Sequence, residues 1–359
     1  MATTNISVTG YYATGSSAVI DLLREYNNVK VVPEIGYLYE HVVFYVSGGL
    51  FDLCTLLQNA NTPSGSDMVI NHFVQAMKRL NDYDMVWFGS YKSLYGDVFM
   101  KAVYDFVNSI STSHDGTTAE HVKSSRFSLI KAMAQLAAHL ILGRKISKYG
   151  RHYVRDGWPV YFSMPQKDEL YAAAKKFTSS YFQMVNGNND GFFIYDHLIW
   201  PQQVDVHSKC FDNNFKAIIL DRDPRDLYLL NKYYFCKIHH TKPHLPDTPE
   251  AFIKQWKKTV VPHFSNPNAL AIHFEDLIYN YDNTVSKIEK FLGLNSEDHI
   301  NIKSKFVPEK SIENTQVFRV NKEWEQEVEP IKNEMSDLLY HFPYKRTPNW
   351  DLMFDSPNN

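Results

Sequence analysis

Two segments of the chain combine residue types and spacing that suit the binding of phosphate groups. The first, GYYATGSS at residues 10–17, lies between a strand-like stretch and a helix-like stretch. Gly10 and Gly15 have the G-x-x-x-x-G spacing of loops in which converging backbone N–H groups and a helix N-terminus hold an anion. Ser16 stands where ATP-hydrolysing loops of this kind carry a lysine. We therefore predict an anion loop that does not hydrolyse nucleotides. A serine-capped turn without a ligand is the alternative.

The second segment, KAIILDRDPRD at residues 216–226, contains two arginines just after a strand-like stretch. The planar guanidinium of Arg222 or Arg225 can donate two parallel hydrogen bonds to one phosphate. The neighbouring aspartates could orient or neutralise these arginines, so a surface network of ion pairs is the alternative. Together, the two segments suit a nucleotide that carries phosphates at both ends.

Hydrophobic periodicity predicts the elements that position these segments. A strand at 6–9, a helix at 16–26 and a strand at 29–32 form the start of a βαβ unit, which indicates a parallel sheet. Further strands and a helix are predicted at 192–195, 216–220, 269–274 and 283–292. The predicted fold class is α/β, with a P-loop-type parallel sheet flanked by helices.

The region between the two phosphate segments has a different character. Residues 40–190 are predicted to be mainly helical, with a polar loop at 111–118 and a helix at 162–182. We interpret the chain as a single domain, 1–359, in which this region is an insertion or a cap. A separate subdomain is the alternative.

The overall composition excludes several classes of protein. The 359 residues are 44% hydrophobic and 21% charged, which is typical of a globular protein. The formal net charge of −3 excludes a chain-wide basic surface for nucleic acid. Its three cysteines form no C-x-x-C pair, which argues for a reducing compartment and against a thiolate zinc site. No apolar run reaches the roughly 20 residues of a spanning helix. We predict a cytoplasmic protein without a transmembrane segment.

Three segments together resemble the sulfotransferases that use 3′-phosphoadenosine 5′-phosphosulfate (PAPS). They are SVTGYYATGSSAVIDLL, KAIILDRDPRDLYLL and LAIHFEDLIYNYDNTVSKIEKFLGL. A fourth, FVPEKSIENTQVFR, is similar to the C-terminal loop that closes over the nucleotide in this family. The resemblance implies a parallel-sheet core related to nucleotide kinases, PAPS as the cofactor, the desulfated product PAP, and no required metal.

The resemblance also implies roles for individual residues. The N-terminal loop would hold the 5′-phosphosulfate, and Arg222 would hold the 3′-phosphate. The closing loop would reach the same phosphate or the adenine. The predicted cofactor-binding residues are Gly10, Tyr12, Ala13, Thr14, Gly15, Ser16, Ser17, Arg222, Asn231, Ser311, Asn314 and Arg319.

Two positions depart from the family pattern. Many members carry Lys or Arg where this chain has Ala13, and that cation neutralises charge on the leaving oxygen. Other cations that could replace it are Lys92, Lys209 and Arg319. The family also usually has a serine where this chain has Leu230. Asn231 could supply that hydrogen bond if the register shifts by one residue.

Sulfuryl transfer to a hydroxyl group also needs in-line positioning and a base for the acceptor proton. In related enzymes that base is a histidine or a carboxylate. The best candidates are Asp196 and His197, at the end of a predicted strand. Adjacent residues on a strand face opposite sides, so at most one should point into a cleft. We predict Asp196 and His197 jointly as catalytic residues. A loop histidine beside a capping aspartate is the alternative.

The favoured function is a bacterial-type sulfotransferase that moves a sulfuryl group from PAPS to a carbohydrate hydroxyl. The acceptor would be a polysaccharide or a glycan precursor. The region 40–190 could shape an acceptor groove or a dimer surface, so a homo-oligomer is a further prediction. A divergent P-loop kinase and a catalytically inactive nucleotide-binding scaffold are the alternatives, and Ala13 favours the scaffold. No nucleic-acid partner is predicted.

Overall fold

The computed structural model describes most of the chain. The described residues are 3–32, 41–60, 62–83, 89–115, 130, 133–134, 137, 159–187, 189–238 and 242–354. The chain divides into two compact units, of which the first comprises Met1–His41 and Val185–Asn359 and the second comprises Val42–Met184. Both predicted phosphate segments belong to the first unit.

A five-stranded parallel sheet lies at the centre of the first unit. The five strands are β1 (Thr4–Gly10), β2 (Val29–Val31), β5 (Phe192–Asp196), β6 (Phe215–Asp221) and β7 (Ala269–His273). Their order in the sheet is β2-β5-β1-β6-β7, and each neighbouring pair is parallel. The central strand β1 therefore pairs on one side with β5 and on the other with β6, so the predicted parallel sheet is confirmed.

The sheet takes part in an apolar core with two helices of this unit. Ile6, Val8 and Ile218 of the strands belong to one buried cluster with residues of the helices Ser16–Leu23 and Tyr281–Leu292. The second of these helices ends at Gly293, whose φ of 79° lies in the left-handed region that glycine adopts without strain.

A second buried cluster joins further helices to the loop that follows β1. Tyr11 of that loop, Leu227, Phe252, Trp256 and Ile331 all belong to it. The α-helices of the first unit after β5 are Val204–His207, Pro224–Leu229, Cys236–Ile238, Pro249–Thr259, Asp276–Tyr279, Tyr281–Leu292, Pro308–Ser311, Lys322–Glu327 and Glu329–Glu334. A π-helix spans Leu230–Phe235. The 3-10 turns are Pro201–Gln203, Ser208–Cys210, Ser296–Asp298, Ile312–Asn314, Val317–Arg319, Ser336–Leu338 and Trp350–Leu352.

The described part of the second unit is mainly helical and carries a two-stranded antiparallel sheet. Strand β3 (Thr112–Asp115) pairs with β4 (Pro159–Phe162). The α-helices are Leu50–Leu57, Pro63–Asp82, Tyr91–Tyr95, Val98–Ile110 and Lys167–Asn186, the last of which extends past the unit boundary. No helix among the described residues is long and apolar enough to cross a membrane.

Two predictions in the second unit were wrong. Residues 112–115 of the predicted polar loop form strand β3, and the predicted helix at 162–182 begins only at Lys167. The proline at position 165 separates β4 from that helix, because proline disfavours helical backbone at the preceding residue. Strand β4 is also bonded to the helix Pro63–Asp82, because the backbone N–H of Tyr161 donates to the carboxylate of Asp67 at 2.8 Å.

Candidate active site

A cavity of about 450 Å³ lies in the first unit where the carboxyl ends of β1, β5, β6 and β7 meet. In open parallel sheets ligands bind at this edge, and the volume suits a small-molecule ligand. The residues that line it are Tyr11, Tyr12, Ala13, Thr14, Gly15, Ser16, Ser17, Ala18, Asp21, His197, Trp200, Arg222, Phe235, Phe274, Lys305, Phe306, Val307, Lys310, Ser311, Asn314 and Phe354.

The loop after β1 is held in a tight shape that depends on both of its glycines. The hydroxyl and the N–H of Thr14 both donate to the carbonyl of Tyr11, at 2.7 and 3.1 Å. A Cβ on Gly10 would lie 2.2 Å from the Thr14 hydroxyl oxygen. Gly15 has a φ of 95°, and a Cβ there would meet the ring of Phe274 at 3.0 Å. The helix Ser16–Leu23 begins directly after it, so its first backbone N–H groups have no partner within the helix.

The two tyrosines of this loop have different environments. Tyr11 is 4% exposed, meets Trp256 edge to face, and its hydroxyl accepts from the N–H of Val261 at 2.8 Å. Burial raises the pKa of Tyr11 to about 12. Tyr12 is only partly buried and lies 4.7 Å from the ring of His244. Tyr11 thus fixes the loop to the protein, whereas Tyr12 presents part of its ring to the cavity.

Arg222 joins the loop to a segment near the C-terminus. Its side chain is 2% exposed, and its guanidinium lies 4.6 Å from the ring centroid of Phe274. One terminal nitrogen donates to the carbonyl of Ala13 at 3.4 Å and the other to the carbonyl of Asn314. Its Nε is buried without a hydrogen-bond partner among the described residues. A buried donor without a partner costs free energy, so the geometry favours an additional acceptor here.

Arg225 has a separate, structural role. Its guanidinium donates two bonds to the carboxylate of Asp223, at 2.9 and 2.7 Å, and packs over the ring of Phe318 at 4.1 Å. It is not among the described residues that line the cavity. The residue types alone left the roles of the two arginines undivided, and the family resemblance selected Arg222. Of these two arginines, only Arg222 lines the cavity.

Three fully buried carboxylates surround these arginines, those of Asp223, Asp226 and Glu275. Burial lowers the pKa of Arg222, although the three carboxylates oppose that shift. Burial and the charge of Asp223 raise the pKa of Asp226 to about 7 and raise the pKa of Glu275 well above its usual range. Burial thus disfavours the charged forms of Asp226 and Glu275, whereas the charge of Arg222 favours them.

Asp196 and His197 form a hydrogen-bonded pair at the end of β5. The ring Nδ1 of His197 lies 2.5 Å from a carboxylate oxygen of Asp196, and the ring lies 5.1 Å from that of Trp200. His197 lines the cavity, whereas Asp196 is not among the described residues that do. The backbone of His197 has a φ of 51°, outside the strand, which lets the two adjacent side chains meet. The prediction that they face opposite sides assumed that the strand continues, and it ends at Asp196.

A third wall of the cavity comes from the segment near the C-terminus that contains Ser311 and Asn314. Both of these predicted residues line the cavity. So do Lys305 and Lys310, which the sequence analysis did not select, and both are exposed. Neither ammonium group forms an ion pair with a described carboxylate. Lys305 directly precedes the segment FVPEKS and Lys310 lies within it, so the basic residues of this stretch were a signal that could have found them.

Several aromatic residues complete the cavity. They are Trp200, Phe235, Phe274, Phe306 and Phe354, in addition to Tyr12. The sequence could not single them out, because the chain contains 23 phenylalanines and 23 tyrosines, most of which serve as packing. Phe235 is the last residue of the π-helix, a local irregularity that is often found at functional sites.

Three predicted cofactor residues do not line this cavity, among the residues that the structure describes. Gly10 instead allows the close approach of the Thr14 hydroxyl group, which a side chain at position 10 would block. The side-chain amide of Asn231 donates to the carbonyl of Leu245 at 3.1 Å and accepts from the N–H of Leu245 at 3.2 Å. Asn231 therefore does not supply the hydrogen bond to the cofactor that a register shift of one residue would have allowed. Arg319 lies 3.5 Å from Glu325. The proposed substitute cations Lys92 and Lys209 also lie outside the cavity lining.

Comparison with known proteins assigns the chain to a family. The model of the sulfotransferase domain family matches residues 100–341, which is more than half of the chain. The chain belongs to the sulfotransferase domain family. Members of this family transfer a sulfuryl group from PAPS and release PAP, and the predicted family and cofactor are therefore confirmed. No curated protein sequence matches the chain.

Solved sulfotransferase structures show distant likeness. The sulfotransferase domain of the Synechococcus PCC 7002 olefin synthase is 14% identical, with a TM-score of 0.33 over 96% of this chain and 90% of that one. Retinol dehydratase, in complex with androsterone and inactive cofactor PAP, is 14% identical, with a TM-score of 0.32 over 96% and 84%. STF1 from Mycobacterium tuberculosis H37Rv is 11% identical, with a TM-score of 0.30 over 88% and 77%. Membership of the family rests on the family model.

The residues of the cavity fit the chemistry of PAPS. The donor-rich loop and helix start suit the phosphosulfate, and the unpartnered Nε of Arg222 suits an oxygen of the 3′-phosphate. Lys305 and Lys310 add two positive charges to the same cavity. Among the described residues, no group of three His, Cys, Asp or Glu side chains could hold a metal ion.

Proposed function

We propose that this sulfotransferase moves the sulfuryl group of PAPS to a hydroxyl group of a carbohydrate, in a polysaccharide or a glycan precursor. The observation that supports this proposal best is that the loop at residues 10–17, Arg222 and His197 line one cavity. The Nδ1 of His197 is hydrogen-bonded to the carboxylate of Asp196. Anion-binding groups and a candidate base are thus within one small volume.

In this proposal, different residues of the cavity bind the two ends of the nucleotide and accept the proton. The loop and the start of the helix Ser16–Leu23 bind the 5′ end of the nucleotide, and Arg222 binds the 3′-phosphate. His197 takes the acceptor proton at Nε2, because Asp196 holds Nδ1 and stabilises the imidazolium that forms. When bound, PAPS supplies the activated sulfuryl group.

The carbohydrate acceptor is supported by the aromatic residues next to the candidate base. Tyr12, Trp200, Phe235 and Phe354 line the same cavity as His197. Flat aromatic rings offer stacking faces to the C–H surface of a sugar and leave its hydroxyl groups to polar partners. Three features stay predictions: the cytoplasmic location, the homo-oligomer, and the interpretation of residues 40–190 as an insertion within one domain.

A panel of acceptors tests the proposed substrate class. Radiolabelled PAPS would be incubated with oligosaccharides, polysaccharides, lipid-linked glycans, phenols and steroidal alcohols. We expect carbohydrate acceptors to be sulfated with at least tenfold higher kcat/KM than phenols or steroids. Product formation would be measured by chromatography and mass spectrometry, with His197→Gln as the inactive control.

Two other outcomes would contradict the proposal in different ways. Sulfation of phenols or steroids alone would replace the carbohydrate with another acceptor class and retain the transfer mechanism. PAP binding without transfer to any acceptor would favour the inactive scaffold, for which Ala13 is the specific observation.

We further propose that Lys305 and Lys310 supply the positive charge that Ala13 does not. The double variant Lys305→Ala/Lys310→Ala should lower kcat/KM for PAPS by about 10²-fold, or ~2.7 kcal/mol, since these lysines neutralise charge in the cavity. Initial rates at varied PAPS concentration measure this effect, and the single variants divide it between the lysines.

Two cations outside the cavity serve as matched controls for the lysine variants. Lys209→Ala and Arg319→Ala each remove one positive charge, yet neither residue lines the cavity. Both should retain kcat/KM for PAPS within about threefold. A large loss in either control, together with an unchanged Lys305/Lys310 double variant, would transfer the proposed role to that control residue.

A further inference from the structure

Residues 303–318, the cavity-wall segment, bring Lys305, Lys310, Ser311 and Asn314 to the cavity. The segment contains one turn of α-helix and two 3-10 turns, and none of its residues belongs to a strand of the sheet. Short turns of this kind satisfy few of their own backbone groups, so partners elsewhere must fix the segment.

Glu25 fixes the beginning of the cavity-wall segment. Its carboxylate is fully buried. One oxygen accepts from the N–H groups of Lys305 and Phe306, both at 2.9 Å. The other accepts from the N–H of Lys303 at 3.0 Å and lies 2.7 Å from Nε2 of His299. Three of its four partners are therefore backbone groups of the segment.

Asp226 fixes the other end of the cavity-wall segment. Its carboxylate is also fully buried, and it accepts from the N–H groups of Gln316 at 2.7 Å and Phe318 at 3.3 Å. Gln316 has a φ of 54°, a backbone conformation that costs a non-glycine residue free energy. The bonds to Asp226 favour this conformation, which lies only two residues beyond Asn314.

Both carboxylates are close in the sequence to elements that carry phosphate-binding groups. Glu25 lies just after the helix Ser16–Leu23, whose N-terminus follows the anion loop. Asp226 lies four residues after Arg222, in the helix Pro224–Leu229. The cavity-wall segment is therefore bonded at its two ends to residues that follow the two groups that would hold the two ends of the nucleotide.

We propose that Glu25 and Asp226 are positioning residues for the nucleotide. They hold the cavity-wall segment at both ends, so that its lysines, Ser311 and Asn314 face the bound phosphates. The proposal rests on the PAPS site described above. A buried carboxylate is costly unless its oxygens are satisfied, and here the groups that satisfy it are those that shape the cavity.

The variants Glu25→Gln and Asp226→Asn test this role, because each replaces one acceptor oxygen with an NH2 group. We expect each variant to raise KM for PAPS and Kd for PAP about tenfold or more, while kcat changes less than threefold. Glu289→Gln is the matched control, since Glu289 accepts from Tyr26 at 2.9 Å and has no bond to the segment. Both values should stay within twofold in that control.

Results of another pattern would overturn the proposal. Loss of thermal stability with unchanged KM and Kd would make the two carboxylates structural residues only. A fall in kcat with unchanged KM would assign them to the transfer step instead. Kd for PAP is measured by calorimetry, and thermal unfolding of each variant is measured in parallel.

Hydrogen exchange of the wild-type protein covers the case in which a variant fails to fold. Without ligand, the N–H groups of Lys305, Phe306 and Gln316 should exchange at least tenfold more slowly than those in the middle of the segment. Uniformly fast exchange would overturn the proposal. If the wild type does not bind PAP, the proposed nucleotide site fails, and the exchange pattern of the free protein still decides whether the segment is anchored.

Discussion

Replacing His197 with glutamine is expected to lower kcat for sulfuryl transfer by about 10³-fold, since a positioned general base contributes roughly 10²–10⁴-fold. Glutamine is similar in size and polarity but cannot accept the acceptor proton. Kd for PAP should stay within threefold, because the anion-binding groups are on other walls of the cavity. Single-turnover transfer measures the chemical step, and calorimetry measures PAP binding.

The partner variant Asp196→Asn separates the two candidate bases. If Asp196 only orients the ring through its 2.5 Å contact with Nδ1, its loss should lower kcat less than the loss of His197 does. A larger effect of Asp196→Asn than of His197→Gln would reverse the assignment and make Asp196 the base. Equal affinity of both variants for PAP would show that the losses concern transfer.

Replacing Arg222 with alanine is expected to weaken PAP binding by about 10³-fold or more. The guanidinium is 2% exposed, and removing one partner of a buried charge pair costs roughly 3–5 kcal/mol. The variant also removes the bonds to the carbonyls of Ala13 and Asn314, so two walls of the cavity lose a common partner. Arg222→Lys keeps the charge without the planar fork and should retain only part of the affinity.

A comparison of two ligands identifies the phosphate that Arg222 binds. The wild type should bind PAP much more tightly than adenosine 5′-phosphate, which lacks the 3′-phosphate. In Arg222→Ala this difference should nearly vanish, because the variant and the truncated ligand remove the same interaction. Equal weakening for both ligands would place the contact elsewhere. Arg319→Ala should leave both affinities unchanged, since Arg319 does not line the cavity.

The sheet and the anion loop could be predicted from the sequence because their signals are local. Strand β1 and the helix Ser16–Leu23 show their periods within a few residues, and the spacing of Gly10 and Gly15 identifies the turn between them. Each predicted strand of the first unit appears in the sheet within about two residues of its predicted ends.

The remaining features depend on partners that are distant in the sequence. Arg222 and Arg225 have the same residue type, and their side-chain partners, Ala13 and Asn314 for Arg222 and Asp223 for Arg225, separate their roles. Asn231 was selected by its position relative to a family motif, but both polar atoms of its side-chain amide bond the backbone of Leu245. Strand β3 was missed because its polar sequence lacks the alternating pattern of a half-buried strand.

The order of the strands has a consequence for synthesis of the protein. The central strand β1 leaves the ribosome first, yet its neighbours β5 and β6 begin only at Phe192 and Phe215. At roughly 5–20 residues per second, β1 waits on the order of ten to forty seconds for β6. During that interval the apolar Ile6 and Val8 lack their sheet partners, and we expect the nascent chain to be prone to aggregation until β6 is made. Because the cavity-wall segment is made later still, PAP can bind only to chains in which this segment has already been synthesised.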